Sequence, residues 1–160
     1  MIDDGLATTT VADQRELEAT VAPILRRAFA AYEARGDEAL ALNRAAHIKY
    51  LSSSLSTLSS GFITLDASRT WLAYWIVHSL SLLDAPLPSP PGSESVRAFL
   101  ASCQSPSGGF GGGPHQLPHL APTYAAVATL VSLGCPEALE AVDRPALLSF
   151  LLRMAVPAER

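Results

Sequence analysis

Trp71-Leu-Ala-Tyr-Trp-Ile-Val-His-Ser-Leu-Ser-Leu-Leu83 and Ala121-Pro-Thr-Tyr-Ala-Ala-Val-Ala-Thr-Leu-Val-Ser-Leu133 decide the fold. Tyr74, Val77, Leu80 and Leu83 in the first run return as Tyr124, Val127, Leu130 and Leu133 in the second, 50 residues on. Spacing of this kind marks one face of a helix, and neither run alternates as a strand would. Two further motifs repeat around them. Ile48, Leu51 and Leu55 recur as Val96, Phe99 and Cys103 after 48 residues, then as Leu147, Phe150 and Met154 after another 51. Gly61-Phe62 recurs as Gly109-Phe110, again after 48. Each unit is therefore predicted to be a helix, a glycine-containing loop and a second, more apolar helix. Such a unit cannot bury both of its faces alone, so units stack or close into a ring. The second helices are almost free of charge and are expected to be buried on every side, as an inner layer covered by the first helices. The fold class is all-α, an α/α barrel (toroid), of which the chain holds about two and a half units.

Working outward, proline and glycine support these boundaries. Pro86, Pro88, Pro90 and Pro91 stop the first inner helix and stiffen the link to the next outer one. Pro122 suits the first turn of the second inner helix, Gly134 its C-terminal cap, and Asp143 the N-cap of the helix carrying Pro145. Toward the N-terminus, residues 1–13 are expected to form a polar, fraying end. Leu17, Val21, Leu25, Phe29 and Tyr32 then give an amphipathic helical run, with Pro23 expected to kink or restart it. Gly36-Asp37 interrupts this run, and a second helix is expected over Glu38–Ala46. The predicted organisation is an N-terminal extension over 1–46, incomplete toroid units over 47–154 and a divergent tail over 155–160.

Composition narrows the function. Of 160 residues, 49% are hydrophobic and only 16% charged, which excludes a disordered, collagen-like or coiled-coil chain. The net charge of −4 argues against a nucleic-acid or anionic-membrane surface. Residues 98–136 contain no Asp, Glu, Lys or Arg, as expected of an interior, a pocket lining or a covered surface. The first twenty residues lack the basic start of a secretory signal, and the apolar run Trp71–Leu83 is too short to span a bilayer. No membrane insertion is expected. Cys103 and Cys135 are expected to be reduced, buried thiols of a cytoplasmic protein.

Candidate chemistry is sparse. Ser107-Gly-Gly-Phe-Gly-Gly-Gly-Pro114 resembles a phosphate loop only in its glycines; it lacks the lysine and the preceding strand. A tight structural turn is the better reading, since Gly61-Phe62 stands at the same place one unit earlier. Trp71 and Trp75 project from one helical face, with Tyr74 beside them, and such an aromatic wall suits a long apolar ligand. His119 precedes the second inner helix, where a hydrogen-bonded loop histidine is the simpler expectation. His47, His78 and His115 show no partner at catalytic or metal-ligand spacing. No catalytic residue and no metal ligand is assigned.

Three strings carry a resemblance. They are Leu65-Asp-Ala-Ser-Arg-Thr-Trp-Leu-Ala-Tyr-Trp75, Cys103-Gln-Ser-Pro-Ser-Gly-Gly-Phe-Gly-Gly-Gly-Pro114 and Gln116-Leu-Pro-His-Leu-Ala-Pro-Thr-Tyr-Ala-Ala126. Together they resemble the β subunits of protein farnesyltransferase, a family built from prenyltransferase repeats. The likeness runs from about His47 to Met154; Thr70 stands where proline is common and Ala73 where cysteine is common. The resemblance implies an α/α toroid that pairs with a crescent-shaped α subunit. It also implies transfer of a farnesyl group from farnesyl diphosphate to the cysteine of C-terminal C-a-a-X motifs in protein substrates. A zinc ion would hold that cysteine as thiolate. By the same resemblance, Trp71 and Trp75 line the pocket for the a-residue and touch the isoprenoid. Ala67, Ser68, His119, Ala121 and Pro122 surround the X residue, and Tyr124 faces the far end of the lipid. A bulky Trp71 at that end suits a fifteen-carbon over a twenty-carbon chain.

The family's Asp, Cys and His zinc ligands and its diphosphate-holding residues belong to later repeats. After Met154, where the next glycine loop is due, this sequence reads Ala-Val-Pro-Ala-Glu-Arg160. The expectation is thus a fragment or truncated form with part of the peptide and lipid pocket, no zinc site, and no turnover on its own. A second reading is an inactive binding module that associates with the α subunit or with prenyl groups, motivated by the uncharged 98–136 segment. Other α/α toroids are disfavoured: a terpene cyclase needs an acid-rich motif and a thioester domain a Cys-Gly-Glu-Gln string, and neither occurs.

Overall fold

The structure, a computed structural model, describes Gly5 and residues 7–155. Two compact units divide between Asn43 and Arg44. In the first, α1 (Thr9–Arg35) starts where the Thr8 hydroxyl accepts from the Val11 amide at 3.2 Å, and ends at Gly36, whose amide donates to the Tyr32 carbonyl. A 3-10 turn follows over Gly36–Leu40. Three expectations are corrected here. The described part of the terminus is helical from Thr9, because Thr8 supplies a cap within what composition marked as a polar end. Pro23 lies inside α1 without restarting it: a long helix absorbs the loss of one backbone bond when its other turns are intact. The helix expected over Glu38–Ala46 is a 3-10 turn and a break instead, and the next α-helix begins only at Arg44. The stripe Leu17–Tyr32 is amphipathic in spacing, yet α1 has no buried residue.

The second unit contains the repeats. Its helices are α2 (Arg44–Ser56), α3 (Arg69–Leu82), α4 (Gly92–Cys103), α5 (Leu120–Ser132), the short α6 (Pro136–Glu140) and α7 (Arg144–Met154). A 3-10 segment, Ser60–Ser68, joins α2 to α3. The pattern is outer helix, loop, inner helix, twice over, with α7 as a third outer helix. No strand occurs among the described residues; Gln104 and Phe110 form one isolated antiparallel bridge. The residues of the tail beyond Ala155 lie outside the described ones.

Capping explains the boundaries. The Asp143 carboxylate accepts from the Ala146 amide at 2.9 Å, with Pro145 in the first turn of α7. Pro122 lies in the first turn of α5, and Gly134 follows α5 at φ 68°. The core lies where α4, α5, the loop between them and the short α6 meet α3: Val77, Val96, Leu100, Cys103, Phe110, Ala126, Leu130 and Ala138. The middle unit is the best buried of the three. Val96 and Cys103 are buried, whereas their repeat mates Ile48 and Leu55 are half-buried and Met154 is exposed. A central repeat has a neighbour on each side.

The inner helices pack directly on each other, α3 against α5. They are not buried all round as expected. Trp75 is 51% exposed and Tyr124 57%, while Ala73, Ile76, Val77, Ala125, Ala126 and Leu130 are buried. Absence of charge marked both faces alike, but only one face meets the outer helices; the other is an apolar wall.

Candidate functional site

The glycine strap between α4 and α5 builds the site from its base. Gly108 has φ 101°, and a Cβ there would run into the Ala146 carbonyl of α7. A Cβ on Gly109 would stand 2.7 Å from the Phe150 ring, and one on Gly112 would collide with the Ala67 carbonyl. The strap is thus pressed between the loop of the first unit and the outer helix of the third. Bare backbone is what permits that approach on both sides. Gln104 fastens the same joint: its Nε2 donates to the Gly108 and Asp143 carbonyls at 2.9 and 3.0 Å, and its Oε1 accepts from the Asp143 amide at 2.9 Å. The structural reading of these glycines holds, and no phosphate cradle is needed to explain them.

The strap also sets the register of the inner helices. The Thr70 amide, at the start of α3, donates to the Gly112 carbonyl at 3.1 Å. At the start of α5, the Thr123 hydroxyl accepts from the Phe110 amide at 2.9 Å and donates to the His119 carbonyl at 2.7 Å. The two N-termini are therefore held two strap residues apart, and α3 and α5 run parallel.

Parallel alignment brings the aromatic residues together. Trp71 lies 5.7 Å (centroid to centroid) from both Trp75 and Tyr124, and 5.8 Å from Tyr74. Tyr74 meets Tyr124 edge-on at 5.8 Å and stacks on His78 at 5.2 Å with 16° between the planes. These separations lie within the favourable range for aromatic pairs. A hydrogen bond to the Tyr124 side chain, then desolvation, then the charge of the Tyr124 phenol hold the Tyr74 hydroxyl above its ordinary pKa. His78 Nδ1 and Ser132 Oγ are 3.2 Å apart, tying α3 to α5 one turn further on. A groove of about 670 Å³ continues along this face, bounded by Tyr74, His78, Tyr124, Val131 and, from α7, Leu147 and Leu151.

Of the residues singled out by sequence, Trp71, Trp75 and Tyr124 come together in this wall. Ala67 and Ser68 end the 3-10 segment beneath it, where Gln116 Nε2 reaches the Asp66 carboxylate at 2.8 Å. His119 and Ala121 are exposed at the start of α5; Pro122 is buried. Sequence reasoning set Tyr74 beside the tryptophans without giving it a role, found no partner for His78, and missed Ser132. Tyr74 and His78 share one helical face with Trp71 and Trp75, a signal the sequence carried. Ser132 meets His78 only through the register of α3 on α5.

The arrangement is suited to binding. The Ser132 hydroxyl donates to the Ala128 carbonyl at 2.8 Å, so His78 does not activate it as a nucleophile. Among the described residues no group of His, Cys, Asp and Glu side chains could hold a metal ion. Cys103 is buried as expected, whereas Cys135 is only half-buried. Burial pushes the Cys103 thiol up to about 11, against the thiolate a zinc ion requires. These residues do not fit the zinc ion that the resemblance implied. No described helix is long and apolar enough to cross a membrane.

Residues 42–159 match the prenyltransferase alpha-alpha toroid domain. The chain is 46% identical over 113 residues to the protein farnesyltransferase subunit beta of Arabidopsis thaliana, covering 71% of this chain and 23% of that protein. It is 36% identical over 152 residues to the subunit of the same name from Pyricularia oryzae, covering 94% of this chain and 29% of the relative. With that of Saccharomyces cerevisiae it shares 32% over 164 aligned positions, covering 98% of this chain and 37% of the relative. The chain therefore spans about a quarter to a third of the length of these curated relatives. Two-layered helical repeats, a glycine strap binding three successive units and a family match over most of its length make this chain a member of the prenyltransferase alpha-alpha toroid family, similar to farnesyltransferase β subunits.

Proposed function

We propose that residues 47–154 form part of the peptide and lipid pocket of a protein farnesyltransferase, as incomplete toroid units between an extension over 1–46 and a tail over 155–160. The observation that carries this reading is the wall of Trp71, Tyr74, Trp75 and Tyr124, with centroids 5.7–5.8 Å apart on an apolar face. Ring faces and edges of this kind offer a branched hydrocarbon dense dispersion contact without a hydrogen-bonding demand. In this reading the complete enzyme works in the cytoplasm, pairs with an α subunit, and moves farnesyl from farnesyl diphosphate to the cysteine of a C-a-a-X protein.

This chain's own residues bind and orient. Trp71 and Trp75 hold the a-residue side chain against the isoprenoid and keep water from it. Tyr124 receives the lipid's far end, and the bulk of Trp71 limits its length to fifteen carbons. Ala67, Ser68, His119 and Ala121 receive the X residue; buried Pro122 acts by shaping the first turn of α5. In this reading residues 47–154 serve binding, and the transfer step is not assigned to them.

The test is titration of the purified chain with farnesyl and geranylgeranyl diphosphate, followed by tryptophan fluorescence. Saturable quenching that favours the fifteen-carbon ligand, with the preference reduced in Trp71→Thr, is expected. A fluorescence signal indifferent to both ligands would overturn the pocket. In a parallel assay with an α subunit, zinc and a C-a-a-X peptide, no farnesylated peptide is expected from this chain; measurable turnover would overturn the confinement of its role to binding.

A further inference from the structure

The polar groups along the 670 Å³ groove are nearly all committed within the protein. Thr123 Oγ1 accepts from the Phe110 amide and donates to the His119 carbonyl. Ser132 has one hydroxyl proton, and it goes to the Ala128 carbonyl at 2.8 Å. The Ser132 oxygen can therefore meet His78 Nδ1, 3.2 Å away, only as an acceptor. That assigns the ring proton of neutral His78 to Nδ1 and leaves Nε2 with a free lone pair. The ring is held in place from its other side by the Tyr74 stack at 5.2 Å. No protein hydrogen bond reaches Nε2 among the described residues. Apart from the paired phenols of Tyr74 and Tyr124, this nitrogen is the unspent acceptor of an apolar groove.

From this geometry we propose that His78 reads a hydrogen-bond donor on the hydrocarbon, so that the groove favours a prenyl chain hydroxylated near its far end over the plain chain. The proposal rests on the pocket reading above and adds the chemical class of chain it selects. A hydrocarbon that covers Nε2 strips its water without replacement, and a hydroxyl on the chain supplies the donor that a methyl group cannot. His78 is a specificity-determining residue in this scheme, and Ser132 positions it by fixing the tautomer.

The probes are farnesyl methyl ether and its 12-hydroxy derivative, which differ only at the far end and lack any other donor. Binding to the purified chain is followed by tryptophan fluorescence. The hydroxylated ether is expected to bind about threefold to tenfold more tightly. His78→Phe keeps a ring against Tyr74 and should abolish that preference, whatever its effect on the affinity for either ether; His78→Gln, which retains an acceptor, should keep part of it. Equal binding of both ethers overturns the proposal and leaves the apolar pocket standing, whereas binding of neither overturns the pocket and the proposal with it. A preference that survives in His78→Phe overturns the proposal too. Should the variants fail to fold, ¹⁵N shifts of His78 in the parent chain decide: a protonated Nε2 in the neutral ring refutes the assignment.

Discussion

Gly112 lies flush against Ala67: a methyl group added at Gly112 would overlap the Ala67 carbonyl, while the Gly112 carbonyl accepts from the Thr70 amide at 3.1 Å. Two consecutive repeats meet at this point backbone to backbone. Neither partner can yield without breaking the start of α3, so Gly112→Ala is expected to cost about 3 kcal/mol or to prevent folding. Gly134→Ala serves as the contrast. Gly134 has φ 68° with nothing within 4 Å, so it should lose only about 1 kcal/mol, from the left-handed backbone alone. Urea midpoints of the two variants check the difference.

Thr70 is fully buried, and its hydroxyl has no hydrogen-bond partner. Replacing it by Val removes an unsatisfied group and keeps the shape and the amide bond to Gly112, so Thr70→Val should raise stability by about 1 kcal/mol. Thr70→Pro removes the orphan hydroxyl but also that amide donor, and should gain less. Chemical denaturation of both variants would show the order.

Burial holds the Cys103 thiol near 11, above its unfolded range. The folded state then binds the proton more tightly than the unfolded one. The resulting stability is fully present below the unfolded pKa near 8.5 and is lost as pH rises toward 11. Unfolding free energy should therefore fall by on the order of 2 kcal/mol between pH 8 and 11. Tyr74, also raised, contributes in the same direction at the upper end of that window. The fall should shrink in Cys103→Ala, as measured by denaturation at a series of pH values. At pH 7.5, half-buried Cys135 should react with a thiol reagent well before Cys103 does.

Asp143 caps α7 through the Ala146 amide at 2.9 Å. Asp143→Ala should cost about 1 kcal/mol, and Asp143→Asn much less, since the amide oxygen can still accept. Because α7 is joined to the strap at Gly108, Gly109 and Gln104, hydrogen exchange should report opening of both segments together in Asp143→Ala. Exchange that rises in α7 alone would show the strap to be independent of it.

By itself, the sequence determined the helix–loop–helix unit, its period and most of its caps. These are local properties: apolar spacing in Tyr74–Leu83 and Tyr124–Leu133, the side chain of Asp143, and the positive φ that Gly134 supplies. It was less reliable where a local signal was overridden. Pro23 reads as a break but sits in an unbroken helix, and Thr8 caps a stretch that composition marked as an end.

Tertiary structure alone decided which side of each inner helix is open. Charge-free residues look the same whether they face an outer helix or a groove, so Trp75 and Ile76 could not be told apart by hydropathy. It alone decided the parallel register of α3 on α5, which follows from two strap residues, Phe110 and Gly112, holding two helix starts side by side. That register places His78 against Ser132, 54 positions away, and so makes the part of the groove that no spacing rule could have assembled.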